Sequence, residues 1–134
     1  MQHLKDEVKA AIKQAALEEF SKKSYNEASM RAIAMKAHIT VGNIYRYFPS
    51  KDALFNELMD PVWKAVTQAI FDQYNEAEDP LLISGIITAI MGIYRKYSTE
   101  LYILFHNRKG SKYENIRNGL VELIAGRIEK EMLV

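Results

Sequence analysis

A polar and basic stretch in the first third of the chain carries the residues best suited to contact a ligand. Gly42 is small enough to admit close approach of another molecule, and the amide of Asn43 can pair with the edge of a nucleic-acid base. Arg46 and Tyr47 follow on the same side and can reach phosphates. Lys51 lies in the expected first turn of another helix, where backbone N–H groups favour an anion. This combination is typical of a surface that enters the major groove of DNA.

Two short helices must position these residues. The first is predicted, with Ser29 as its N-cap, from apolar residues at spacings of three and four: Met30, Ile33, Ala34 and Ala37. The second is predicted in the same way after the N-cap Thr40, from Val41, Ile44, Tyr45 and Phe48. Only His38 and Ile39 lie between them, and Pro49 ends the second helix. So short a connection forces the helices to cross steeply, as in a helix-turn-helix.

Periodicity alone leaves two interpretations open. Two short amphipathic helices with a tight turn also occur in helical bundles that never bind DNA. On that interpretation the chain is a protein–protein interaction domain, and the helix-turn-helix serves only as scaffold. The two hypotheses differ in one observable, because only a DNA reader has an affinity for DNA that falls steeply with salt.

Composition narrows the classes further. The chain has 134 residues, is 49% apolar and contains no cysteine, which excludes disulfides and thiolate metal sites. Residues 1–55 hold nine basic against six acidic residues, and residues 56–134 hold nine against eleven. A mildly basic N-terminal part has the sign expected for contact with phosphates. The charged N-terminus lacks the apolar region of a signal peptide, so we expect a cytoplasmic protein.

These residues resemble the tetracycline-repressor-like (TetR) transcriptional regulators. The first piece of the family signature, A-L-x-x-F, is similar to Ala16–Phe20. The second piece is matched by Tyr25, Ala28 and Ser29. The third piece is matched without a gap by Ile33, Ala34, Ala37, Thr40, Gly42, Ile44, Tyr45, Tyr47, Phe48, Ser50, Lys51 and Leu54. The resemblance covers about the first 55 residues and favours the DNA-binding hypothesis.

The resemblance implies roles for individual residues. It assigns base reading to Val41, Gly42, Asn43 and Tyr45, and phosphate contacts to Ser29, Arg31, Thr40, Tyr47 and Lys51. It further implies a homodimeric repressor that binds a palindromic operator in double-stranded DNA and releases it when a small-molecule effector binds. Two departures stand out, since the family usually has Gly where this chain has Ser24 and His38. Both places favour a left-handed backbone, which His tolerates better than most residues.

An all-α fold with two parts is predicted, a helix-turn-helix domain over residues 1–50 and a helical regulatory domain over residues 51–134. The first helix, Leu4 to Lys22, places Glu18 with Lys22 and Glu19 with Lys23 as pairs on its exposed side. A connecting helix follows from Lys51 to about Glu76, kinked or briefly broken at Asp60-Pro61. After a break at residues 77–80, residues 81–94 predict a buried central helix that is too short to cross a bilayer. A loop at residues 107–111 and a last helix over residues 113–132 complete the chain.

Aromatic side chains in the second half suggest where an effector could bind. A pocket lined by Trp63, Met91, Tyr94, Tyr102 and Phe105 is one interpretation, and plain core packing is the other. No catalytic residue, cofactor site or metal site is predicted, because the three histidines lie far apart and no nucleophile or phosphate-loop motif occurs. Family members usually carry two further helices that form a dimer interface, so we expect the regulatory domain, the body of this chain, to be incomplete.

Overall fold

The structure is a computed structural model that describes residues 2–75 and 82–132. Within these ranges the chain forms six α-helices. They are α1 (Gln2–Lys22), α2 (Met30–Lys36), α3 (Val41–Tyr47), α4 (Lys51–Asn75), α5 (Leu82–His106) and α6 (Ile116–Met132). The predicted all-α fold is confirmed. Helix α1 packs against α2, α4 and α5, while α3 packs against α2 and α4 packs against α5. The predicted break at residues 77–80 lies outside the described residues.

The short helices α2 and α3 have the predicted caps. The Ser29 hydroxyl accepts a hydrogen bond from the Ala32 N–H, and the Thr40 hydroxyl accepts one from the Asn43 N–H. Each cap satisfies one of the N–H groups that a helix leaves free in its first turn. The turn between the helices is left-handed at His38, with φ of 59°, as the family pattern implies. The same expectation is wrong for Ser24, since His38 is the one non-glycine residue with positive φ among those described.

One apolar core joins the N-terminal helices to the body. The rings of Phe20 and Tyr25 both meet the ring of Phe55 edge-on, each at 4.9 Å between centroids. Farther along, the rings of Trp63 and Tyr113 lie 6.2 Å apart. Buried residues from α1 to the start of α6 belong to this single cluster. The division at residue 50 therefore stays a prediction, because the core runs continuously across it.

Helix α4 continues without interruption past Pro61, so the alternative of a broken helix is wrong. The residue before the proline, Asp60, accepts hydrogen bonds from the Tyr113 hydroxyl and from the Lys112 ammonium, the latter at 2.8 Å. Burial raises the pKa of Asp60, but the bonds from Lys112 and Tyr113 outweigh it and hold that pKa below its usual value. This carboxylate therefore links α4 to the connection before α6, which the structure begins at Ile116 rather than at residue 113.

The prediction of a buried central helix over residues 81–94 is wrong. Helix α5 is longer than expected and exposes large apolar side chains along one side, namely Ile87, Ile90, Met91 and Tyr94. Its continuous apolar sequence suggested burial on all sides, yet its C-terminal half provides the buried contacts, through Leu101, Ile103 and Leu104. The backbone departs from helical geometry at Tyr97, between these two parts. Among the described residues, no helix is both long and apolar enough to span a membrane.

The aromatic contact between α1 and α4 generates a stability prediction. Truncating Phe55, which is fully buried, to Ala removes the ring that both Phe20 and Tyr25 contact. We expect the free energy of unfolding to fall by about 3–5 kcal/mol, measured by urea denaturation with Trp63 fluorescence. The control is Met35→Ala, because Met35 is 71% exposed. A loss below about 1 kcal/mol for Phe55→Ala would contradict the packing.

Candidate nucleic-acid interface

The turn between α2 and α3 fixes how the two helices cross. The Ile39 N–H donates to the Ala34 carbonyl at 3.0 Å, and the His38 N–H donates to the Met35 carbonyl at 3.2 Å. These bonds satisfy carbonyls at the end of α2, which a left-handed residue directly after a helix commonly allows. The chain therefore leaves α2 sharply and enters α3 after four residues, as a helix-turn-helix requires.

Helix α3 has an inner and an outer face. Ile44 and Phe48 are almost completely buried, so the inner face is fixed in the core. On the outer side Gly42 and Arg46 are exposed, and Tyr45 keeps 47% of its surface accessible. Of the remaining predicted base-reading residues, Val41 and Asn43 are partly buried at the border between the faces. The structure therefore brings all four predicted base readers onto one short helix.

An open depression lies beside this outer face. It is lined by His38, Ile39, Thr40, Gly42, Asn43 and Arg46. A Cβ added at Gly42 would meet no atom within 4 Å in the described structure, so the glycine leaves the backbone of α3 open to close approach. Backbone, amide and guanidinium groups thus converge on one accessible surface. Such a surface can offer hydrogen bonds both to base edges and to phosphates.

The predicted phosphate-contacting residues fall into two groups. Ser29 and Thr40 use their oxygens as helix caps, but each hydroxyl retains its O–H as a donor. Arg31 is exposed near the start of α2, and Tyr47 is partly buried at the end of α3. The structure thus places these four residues at the ends of α2 and α3.

Lys51 lies apart from that arrangement. Its ammonium donates to the carbonyls of Tyr25 and Ala28 at 2.8 and 3.1 Å, and it sits 4.4 Å from the centroid of the Tyr25 ring. The Tyr25 hydroxyl donates to Asp52, and burial together with that bond raises the pKa of the tyrosine. Lys51 and its neighbour therefore hold the connection between α1 and α2 against the start of α4. Its phosphate contact stays a prediction beside this structural role.

Glu19 is the main correction within the candidate interface. The predicted pair with Lys23 forms at 3.8 Å, but the expected exposure is wrong, because the Glu19 carboxylate is only 2% exposed. It accepts a hydrogen bond from the Ser29 N–H at 3.2 Å and pairs with Lys36 at 3.3 Å. Glu19 on α1 thus binds both ends of α2, which the i,i+4 pattern could not reveal. The neighbouring pair of Glu18 with Lys22 is confirmed at 3.1 Å on the surface.

The five residues of the predicted effector pocket do not share one environment. Trp63 and Phe105 are partly buried against the core. Met91, Tyr94 and Tyr102 are exposed at 53%, 60% and 50%, on α5. An effector site among these five residues stays a prediction. Within the described ranges, no group of three or more His, Asp or Glu side chains could hold a metal ion.

Comparison with known proteins identifies the N-terminal helices. Residues 12–58, from within α1 to within α4, match the bacterial regulatory proteins of the tetR family. The N-terminal region of the chain therefore belongs to the tetR family. A relative in Bacillus subtilis (strain 168), the uncharacterized HTH-type transcriptional regulator YuxN, is 32% identical over 99 residues. That alignment covers 74% of this chain, and the chain spans 30% of the length of YuxN.

Solved structures support the fold. One is the crystal structure of NalD, the secondary repressor of the MexAB-OprM multidrug efflux pump in Pseudomonas aeruginosa. It matches with a TM-score of 0.65 and 24% identity over 96% of this chain and 68% of NalD. A structure of native NalD matches with a TM-score of 0.50 and 21% identity over 88% of this chain and 62% of NalD. At such identities the likeness extends to the fold, so the tetR-family assignment rests on the match at residues 12–58.

The buried carboxylate generates a testable prediction. In Glu19→Ala the Ser29 N–H loses its acceptor and Lys36 loses a buried partner. We expect the free energy of unfolding to fall by about 1–3 kcal/mol, measured by chemical denaturation. We also expect faster amide exchange at Ser29 and Ala32 than in the unaltered protein, because the N-terminus of α2 loses its tie to α1.

Glu18→Ala is the matched control, since it removes the same group one position earlier from an exposed site. It should leave both measurements nearly unchanged, because exposed ion pairs contribute little. Equal effects of the two substitutions would contradict the role assigned to Glu19.

Proposed function

We propose that this protein is a DNA-binding transcriptional regulator that contacts double-stranded DNA through α2, the turn and α3. The observation that carries the proposal is the division of α3 into a buried face and an outer face of small, amide, basic and aromatic side chains. The match of residues 12–58 to the bacterial regulatory proteins of the tetR family supports it as well. The outer face suits the major groove, which admits an α-helix and presents a distinct pattern of donors and acceptors for each base pair.

The proposed base readers are Val41, Gly42, Asn43 and Tyr45. The Asn43 amide can donate and accept at once, which matches the N6 and N7 atoms of adenine. Val41 offers an apolar contact of the kind that suits a thymine methyl group. Gly42 allows the backbone of α3 to approach the bases, and the exposed Tyr45 ring extends beyond it. These contacts supply sequence preference.

The proposed phosphate contacts are Ser29, Arg31, Thr40, Tyr47 and Lys51. They come from the ends of three helices and would hold α3 in register along the groove. Lys51 has two internal acceptors for its ammonium, which carries three N–H groups, so one donor remains for a phosphate. These contacts supply affinity that does not depend on sequence.

Regulators of the tetR family bind DNA operators and form dimers, and we extend both properties to this protein. A homodimer would bind a palindromic operator, because two helix-turn-helix domains related by a twofold axis read two inverted half-sites. We propose repression as the output and a small-molecule effector, of unassigned identity, as the signal that releases the DNA. The expected location is the cytoplasm, where a bacterial operator is reached.

The test separates base reading from phosphate contact. The full-length protein first selects its site from a random pool of DNA duplexes, and affinity is then measured by fluorescence anisotropy at several salt concentrations. Asn43→Ala should weaken binding by about 1–3 kcal/mol and relax the preference at one base pair of each half-site. Arg31→Ala should weaken binding equally for all sequences and reduce the salt slope by about 1 per half-site.

Lys64→Ala is the control for charge. Lys64 is exposed on α4 and lies about 20 Å from Lys51 at 1.5 Å per helical residue. It should leave affinity and salt slope unchanged. If the unaltered protein shows no salt-dependent DNA affinity, the proposed function is wrong and the scaffold interpretation of the helix-turn-helix replaces it.

A further inference from the structure

The connection between α5 and α6 is bonded to the end of α1. The side-chain amide of Asn107 donates to the carbonyls of Phe20 and Ser21 at 2.8 and 3.0 Å. Both carbonyls belong to the last turn of α1, where a helix has no acceptor bonds of its own. One residue of the body, more than 80 positions along the chain, thus satisfies two groups at the end of α1.

Backbone bonds continue the same contact into the connection between α1 and α2. The Tyr25 N–H donates to the Asn107 carbonyl at 2.8 Å, and the Asn26 N–H donates to the Lys109 carbonyl at 3.0 Å. Gly110 closes the contact with a φ of 91°, and a Cβ at that position would collide with the Asn26 side chain. The two connections therefore fit together as one bonded unit.

This unit ends close to the helix-turn-helix. Asn26 precedes Ser29, the N-cap of α2, by three residues, and Ser29 is itself held by Glu19. In the same connection, Lys51 at the start of α4 holds the Tyr25 and Ala28 carbonyls. The position of α2 thus depends on bonds from α1, from the start of α4 and from the α5–α6 connection, and Asn107 provides the bonds from that connection.

We propose that Asn107 is a positioning residue that sets the orientation of the helix-turn-helix relative to the body, and thereby the affinity for a complete operator. This inference rests on the proposed function. A dimer must present two α3 helices to half-sites about 34 Å apart or a multiple of that distance. A small tilt of each helix-turn-helix domain would change the distance between the two α3 helices. Asn107 would act without contact to DNA, and it would leave the outer face of α3 in each subunit intact.

The experiment compares Asn107→Asp with Asn118→Asp in the full-length protein. The first replaces the donor amide with a carboxylate that faces two carbonyls. The second makes the same chemical change at an exposed position of α6. The probes are the duplex selected by the unaltered protein and a duplex that carries one half-site of it. Fluorescence anisotropy gives the affinities and their salt slopes.

For Asn107→Asp we expect affinity for the complete site to fall about tenfold or more, since avidity is lost when two modules no longer span their sites. Half-site affinity and the salt slope per half-site should stay within about twofold of the unaltered protein, because no DNA contact is removed. Asn118→Asp should change neither affinity by more than about twofold.

Equal losses on the complete site and the half-site would overturn the inference, because Asn107 would then act on the outer face of α3. Unchanged binding to both probes would overturn it as well. If Asn107→Asp does not fold, Asn107→Ala removes the two donors without a new charge. It should show the same difference between probes and faster amide exchange at Tyr25 and Asn26. Absence of DNA binding by the unaltered protein overturns the proposed function itself, so the two failures are distinguishable.

Discussion

The fold depends on how the polar backbone between α1 and α2 is satisfied. Helices of seven residues, such as α2 and α3, are too short to be stable alone and take their position from what surrounds them. The connection before α2 has no regular structure, so its carbonyl and N–H groups need partners from elsewhere. Lys51 on α4 and Glu19 on α1 provide such partners, and the backbone carbonyl of Asn107 provides one for the Tyr25 N–H from the α5–α6 connection. The Asn107 side chain bonds carbonyls at the adjoining end of α1.

Each of these three side chains bonds backbone atoms, which makes the arrangement tolerant of the sequence that it holds. The Lys51 ammonium and the Asn107 amide bind carbonyls, and the Glu19 carboxylate binds an N–H group. Apart from Lys36, which pairs with Glu19, the side chains of α2 and α3 are thus left to serve packing on one face and recognition on the other. Residues on the outer face of α3 can therefore be substituted without loss of the backbone bonds that orient the helix.

Local features of the fold could be predicted from the sequence. The caps at Ser29 and Thr40 and the buried Ile44 and Phe48 follow from residue type and a period of 3.6, which act over one or two turns. The left-handed His38 followed from the family pattern rather than from its residue type. All of these depend on neighbours within about seven positions.

Tertiary features could not be predicted. Glu19 and Lys23 look like an exposed pair in sequence, and only the approach of α2 buries the carboxylate and gives it Lys36. Asn107 appears as an ordinary loop residue, because its partners lie at the end of α1. The apolar composition of α5 predicted burial on all sides, but composition does not say which side meets α4. That side is set by the packing of Leu101, Ile103 and Leu104, beyond the non-helical Tyr97.

Lys51 joins the structural and the proposed binding roles in one group. An ammonium has three donors, of which two bind the Tyr25 and Ala28 carbonyls. A phosphate bound by the third would be attached to the same nitrogen that holds the α1–α2 connection on α4. Phosphate binding and the conformation of that connection would then be coupled, since any movement that withdraws the carbonyls also moves the ammonium. The Asn107 carbonyl accepts from the Tyr25 N–H, and the Tyr25 carbonyl accepts from the Lys51 ammonium. The α5–α6 connection is therefore linked to that ammonium through Tyr25. The proposed phosphate contact and the contact from the α5–α6 connection would thus meet at Tyr25, well before α3 begins at Val41.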